Sequence, residues 1–206
     1  MNYIKSYSTL LLLSTALFFS ACSKNNIEIS EINDLKTLSQ NPESYTKNIP
    51  LLEDNVQNEL DAKFNERYFK PWDLKSMTHN VEKATWGNMY ASKKMYGENH
   101  KLISKEWFDQ QIKNADFEKY NTVLVNAITV NNSNLRVFPT KSSLFYNPKV
   151  AGEGFPFDYN QNSSIKINTP IFISHFSKDR AWVFVESNFA TGWLDIKDIA
   201  FMDDLL

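Results

Sequence analysis

The chain has 206 residues, and its 22 basic and 24 acidic side chains give a formal net charge of −2. Arginine occurs only at positions 67, 136 and 180, so the clustered cationic surface that a nucleic acid requires is missing. Cys22 is the single cysteine; with no internal disulfide possible, the fold must stand on a core, and a chain of this length buries roughly 70% of its extended surface.

Residues 1–21 read as an address. Lys5 precedes the apolar run Leu10 to Phe19, and the small residues Ser20 and Ala21 come just before Cys22. The run is too short to span a bilayer, which makes this a signal peptide, and the cysteine at the cleavage point makes it a lipoprotein signal with Cys22 as the acylated first residue. Cleavage leaves 21 basic and 24 acidic side chains. Ser23 stands where Asp would retain a lipoprotein in the inner membrane of a diderm bacterium; the expected location is therefore the cell envelope, lipid-anchored to the outer membrane and facing the periplasm. Residues 22–30 are polar and form a tether.

Residues 31–120 carry a helical period. Ile32, Leu35 and Leu38 mark a short helix, and Asn41-Pro42 reads as a cap followed by a first-turn proline. Leu52, Val56, Leu60, Phe64 and Tyr68 recur every four residues and predict a helix that ends before Pro71, with its apolar stripe turned inward. Further helices are predicted from about Thr78 to Tyr96, with Gly97 just past the end, and from Ser104, which caps a segment carrying Trp107, Phe108, Ile112 and Ala115. The aromatics of FNERYFKPW, along with Trp86 and Trp107, are expected in the core rather than as sugar platforms. His79 and His100 have no second ligand at metal-binding spacing, and no cofactor is implied.

At Thr122 the period changes from about 3.6 to 2. Val123 to Val130, Leu135 to Phe138, Thr169 to Ser174, Ala181 to Glu186, Gly192 to Leu194 and Ile199 to Met202 read as short strands, with one long irregular segment from Lys141 to Ser164. Such an arrangement predicts an α+β chain in which a helical segment is followed by a small SH3-like β-barrel over residues 121–206. Within the long segment, Gly152 and Gly154 allow sharp turns, and Pro156 stiffens a run of aromatics. The candidate ligand-binding residues are Phe155, Phe157, Asp158 and Tyr159, joined by Arg136 and Trp182. A second reading stays open, in which FPFDY is a plug whose rings are buried and whose Asp158 caps turn amides.

Other chemistries fit poorly. Ser174 and His175 are neighbours in a predicted strand and so should face opposite ways, which disfavours a serine nucleophile. Glu153 and Asp158 could pair as glycosidase acids, but loop carboxylates are normally solvated.

ITVNNSNLRVFPT, GEGFPFDYNQNS, TPIFISHFSKDRAWVFVES and GWLDIKDIAF resemble the first bacterial SH3-type domain of NlpC/p60 cell-wall cysteine peptidases. FNERYFKPW likewise resembles the helical clip segment that precedes that domain in the family. The resemblance implies peptidoglycan as the relevant polymer and places the barrel beside the catalytic cleft of complete members. There Asp158 would pair with the free amine of a stem peptide and Tyr159 would orient it. Catalysis in that family needs a thiolate and a histidine base, and Cys22, the only cysteine, is claimed by lipid. With the chain stopping at Leu206, after the first barrel, the expectation is a non-catalytic wall-associated lipoprotein. It would bind the stem peptide or dock a separate hydrolase; the alternative is a shortened or divided piece of an endopeptidase.

Overall fold

The computed structural model describes residues 32–202; the signal segment, Cys22 and the tether lie outside them. Residues up to Leu52 and those from Glu53 onward form two compact units. In the first, α1 (Asn33–Thr37) is followed by α2 (Glu43–Thr46). Asn41 Oδ1 accepts the Glu43 N–H at 3.0 Å, as the Asn-Pro start signal predicts.

The second unit begins with α3 (Asp54–Phe69), which runs into a 3-10 turn at Lys70–Asp73 where Pro71 ends the regular hydrogen bonding. Here the structure departs from the expected packing: α3 buries none of its residues, and Val56, Leu60, Phe64 and Phe69 are exposed. The helix is attached at its C-terminal end. Tyr68 donates its hydroxyl to Asn168 O (2.8 Å), and the half-buried Trp72 donates Nε1–H to Ala127 O (2.9 Å). Its apolar stripe stays outside because the sheet face it could have covered is already taken by residues 74–120.

Those residues are less regular than their periodicity predicts. The helix expected from Thr78 to Tyr96 is broken into α4 (Val81–Ala84) and a 3-10 segment, Trp86–Ser92. A Cβ on Gly87 would lie 2.0 Å from Val137 Cγ1, so this turn packs too closely on the chain after β2 to carry any side chain. By contrast, α5 (Lys105–Ala115) forms as its sequence dictates, with the Ser104 hydroxyl accepting the Trp107 N–H at 3.3 Å.

Seven antiparallel strands follow: β1 (Val125–Thr129), β2 (Ser133–Arg136), β3 (Gln161–Ile165), β4 (Pro170–Phe176), β5 (Trp182–Glu186), β6 (Thr191–Asp195) and β7 (Ile199–Phe201). Their order in the sheet is β3-β2-β6-β5-β4-β1-β7. β3 falls inside the stretch predicted as irregular; Gln-Asn-Ser-Ser has little strand propensity, and only pairing with β2 makes it a strand. Thr129, at the end of β1, donates its hydroxyl to Lys166 O in the connection from β3 to β4 (2.6 Å), beside the strand that β1 pairs with.

β4 and β5 are buried on both faces, and the period of two separates two cores. Ile171, Ile173, Val183 and Val185 turn to one side, packing with Ala127, Leu135, Ile165, Leu194 and Ile199 so that every strand contributes. Phe172, Trp182, Phe184 and Trp193 turn to the other, where Met77, Ala84, Ala115, Phe117 and Tyr120 of the helical region cover them. Helices and sheet thus share a core in this unit. Gly192 in β6 marks a close crossing, because a Cβ there would sit 2.9 Å from Arg136 O and 2.8 Å from Leu135 Cγ. Gly192→Ala is expected to destabilise the protein by about 1–3 kcal/mol through this overpacking, read as a lower urea midpoint with an unchanged slope.

Candidate functional site

The candidate region is built from the inside outward. Arg136, at the end of β2, is buried, and its guanidinium donates to Thr140 O (Nε, 3.2 Å), Asp158 Oδ2 and Gln161 Oε1 (Nη1, 2.8 and 2.9 Å), and Lys141 O and Ser142 O (Nη2, 3.1 and 3.0 Å). All five guanidinium hydrogens are thereby used. Asp158 turns inward to meet it, and its other oxygen accepts the N–H groups of Leu144 (2.9 Å) and Asn160 (2.8 Å). The fully buried Asn160 completes the set, accepting the Phe138 N–H and donating to Thr140 O and Ser142 O. Three polar side chains therefore fix both ends of the 137–160 loop.

With its base held, the loop lifts its tip into solvent. Gly152 and Gly154 take positive φ (83° and 80°), and a Cβ on Gly154 would lie 2.8 Å from Pro148 Cα. Phe155 is 81% and Phe157 52% exposed. Tyr159 is half-buried, packed edge-on to Tyr146 with ring centres 4.5 Å apart, and donates to Glu153 Oε2 (3.0 Å). That hydrogen bond, more than burial, raises the phenol above its ordinary pKa. The structure thus divides the two sequence readings: Asp158 caps amides as the plug reading expects and is engaged by Arg136 rather than left open to an ammonium, whereas Phe155 and Phe157 are exposed and not buried as that reading expects.

Arg136 and Trp182 also line a cleft of about 280 Å³ together with Ser133, Lys141, Asp195 and Asp198. Asp195 pairs with Lys141 (3.1 Å) and Lys197 (3.4 Å); burial pushes its pKa up, but the hydrogen bonds from these lysines outweigh that and leave it lowered. Asp198 accepts from Ser133 Oγ (2.6 Å) and Asn131 Nδ2 (3.1 Å). Phe155 and Phe157 do not line this cleft. Nothing local in the sequence marked Lys141, Asp195 and Asp198 as a group, since strand pairing alone brings them together. No cluster of three His, Cys, Asp or Glu placed to hold a metal ion exists among the described residues.

Ser174 and His175 do not face opposite ways as a regular strand requires. The β4–β5 register shifts between Ile173 and His175, and this bulge lets both side chains turn inward. His175 Nε2 lies 2.9 Å from Ala115 O, and Nδ1 lies 3.0 Å from Ser174 Oγ. Because a carbonyl only accepts, Nε2 carries the proton and the serine donates to Nδ1. Ser174 Oγ in turn accepts the Asn121 N–H (2.9 Å). Both side chains are fully buried, so this serine–histidine pair fastens β4 to the end of α5 and is closed to substrate.

Two predictions follow from these contacts. Breaking the Arg136–Asp158 pair by Asp158→Asn leaves a buried guanidinium uncompensated, and a loss of about 3–5 kcal/mol is expected, measured by chemical denaturation. Burial lowers the His175 pKa, with the Ala115 hydrogen bond and Asp116 opposing. Its stabilising contribution is then full above the unfolded histidine pKa of about 6.5 and is lost as pH falls below it, by at most about 1.4 kcal/mol per pH unit. Melting temperatures from pH 7.5 to 5 should fall more steeply for the native chain than for His175→Gln.

Comparison with known proteins gives the following matches. Residues 11–120 match the model of the NLPC_P60 stabilising domain, N term, and residues 143–195 match the SH3 domain (SH3b1 type). Among solved structures, an NlpC/P60 endopeptidase from Photobacterium damselae subsp. piscicida superposes with a TM-score of 0.68 at 23% identity, covering 74% of this chain and 38% of that one. At this identity the likeness is one of fold, and the chain spans well under half the length of that endopeptidase. None of the curated proteins matches the chain.

Proposed function

Since the chain belongs to the NLPC_P60 N-terminal stabilising domain family, we propose that it is a recognition module associated with cell-wall hydrolysis, whose SH3-type domain engages the stem peptide of peptidoglycan. The observation that carries this reading is the loop: its base is locked by Arg136 and Asp158 while Phe155 and Phe157 stand in solvent. Aromatic side chains on a preorganised loop give contact area at low entropic cost. Tyr159 borders this surface, and Arg136 and Asp158 serve it by positioning, with Trp182 at the neighbouring cleft. We further propose that the sheet closes into an SH3-like barrel, for which the single core shared by side chains of every strand speaks. Domain limits near residues 30 and 120 and a lipid anchor at Cys22 on the periplasmic face of the outer membrane complete the proposal.

On this reading the chain binds without cleaving. The buried Ser174–His175 pair supports that view, as do the committed side chains around Asp158. A second reading, favoured by the 38% coverage of the solved endopeptidase, is that the chain supplies the N-terminal part of such a peptidase. The test is sedimentation of the purified chain with isolated peptidoglycan sacculi. Binding should drop at least tenfold in the double variant Phe155→Ala, Phe157→Ala with its melting temperature unchanged, and mass spectrometry should find no released muropeptides. Undiminished binding by the variant sinks the assignment of the surface; release of muropeptides abolished by a point mutation within residues 32–202 sinks the non-catalytic reading.

A further inference from the structure

A groove of about 560 Å³ lies between the turn at residues 97–103, the first turn of α5 and the start of the long loop, lined by none of the tip aromatics. Its walls are fixed by backbone pairing. Tyr96 and Phe145 exchange N–H to carbonyl hydrogen bonds at 2.7 and 2.8 Å, and the Ile103 N–H donates to Met95 O at 2.9 Å. On the loop side, Ser142 O is held by Arg136 and Asn160. The strand edges here are already paired, so the groove offers no free backbone for an extended peptide to join.

What it does offer is an aromatic floor with a mixed polar rim. Trp107 is half-buried, set edge-on against Phe108 (5.0 Å) and Phe138 (6.2 Å), and lines the groove beside Ile103 and the exposed Leu102. Glu98 receives the Ser143 hydroxyl on Oε1, which leaves Oε2 as an acceptor. Asn99 accepts the Lys101 N–H on Oδ1, which leaves its amide hydrogens as donors. Lys101 Nζ, the Ser142 hydroxyl and the Trp107 indole N–H make no hydrogen bond to the described residues and add further donors. Glu98 and Lys101 offset each other in charge, so the rim selects for neither an anion nor a cation.

Several donors and the Glu98 carboxylate as acceptor, set around an apolar surface, match a neutral, hydroxyl-rich ring, and the volume lies in the range of small-ligand sites. Several donors beside the exposed Leu102 methyls also suit an acetamido group, which joins a carbonyl acceptor to a methyl. We propose that this groove binds an N-acetylated oligosaccharide, with Trp107 as the stacking platform and Glu98, Asn99 and Lys101 as its hydrogen-bonding rim. The proposal rests on the reading of the chain as a cell-wall module and adds the glycan strand to the peptide as a ligand.

The test is an NMR titration of the purified, ¹⁵N-labelled chain with tetra-N-acetylchitotetraose, using maltotetraose as the sugar without acetamido groups. The Trp107 indole N–H resonance should shift saturably with the first sugar, while the fully buried Trp193 stays still. Trp107→Ala should weaken binding at least tenfold. Because Trp107 also packs on the core, Asn99→Ala at an exposed position is the decisive variant, with at least threefold weakening expected at an unchanged melting temperature. Absence of a saturable shift, an equal response to maltotetraose, or full affinity in Asn99→Ala overturns the proposal. Sacculus binding that persists without any chitotetraose response overturns it alone; chitotetraose binding with sacculus binding indifferent to Phe155 and Phe157 overturns the peptide reading alone.

Discussion

The ion pair between Arg136 and Asp158, 2.8 Å long and almost wholly withdrawn from solvent, is the constraint on which the functional half of the molecule depends. A buried pair of this kind gains little over a hydrophobic replacement, yet losing one partner is costly, because the remaining charge has no water to turn to. Here the cost is met by a complete set of hydrogen bonds: the guanidinium satisfies carbonyls from 140 to 142, and the carboxylate satisfies amides at 144 and 160. These bonds act together with the buried Phe138, Leu144 and Phe145 to hold the base of the loop.

The same economy appears in the sheet. β4 and β5 have no solvent-facing side, so their alternating side chains build two cores at once. One is shared among the strands; the other is aromatic and is closed by the short helical turns from Leu74 to Tyr120. Tyr120 is half-buried at the edge of that second core, and burial, aided by the nearby charge of Glu186, pushes its phenol up to about 12. In consequence α3 has no core left to join and displays its apolar stripe outward.

Two surfaces emerge on this frame, and they differ in kind. The loop tip is apolar and projecting, suited to insertion against a complementary partner. The groove over Trp107 is concave and polar-rimmed, suited to a ligand rich in hydroxyls. Both border the same polar knot, as Ser142 lies at the groove and gives its carbonyl to Arg136. Peptide and glycan are covalently joined in the wall polymer, so a module that reads both would recognise the junction rather than either component.

Much of the fold was legible from residue order alone because it depends on local rules. The Ser104 cap, the stop at Pro71, the change of period at Thr122 and the alternation along β4 and β5 all follow from neighbours within a few residues, as does the resemblance carried by the SH3-type motifs. Position 158 was singled out as well, together with the alternative that its carboxylate caps amides. Tertiary structure alone decided the rest. Whether the α3 stripe is buried depends on which segment covers the sheet, and the fate of Ser174 and His175 depends on a bulge set by pairing with β5. β3 exists only through its partner, and the partners of Asp158 come from β2 and from fourteen residues upstream. Burial and charge pairing are properties of proximity in space, and a sequence specifies proximity only through the whole chain at once.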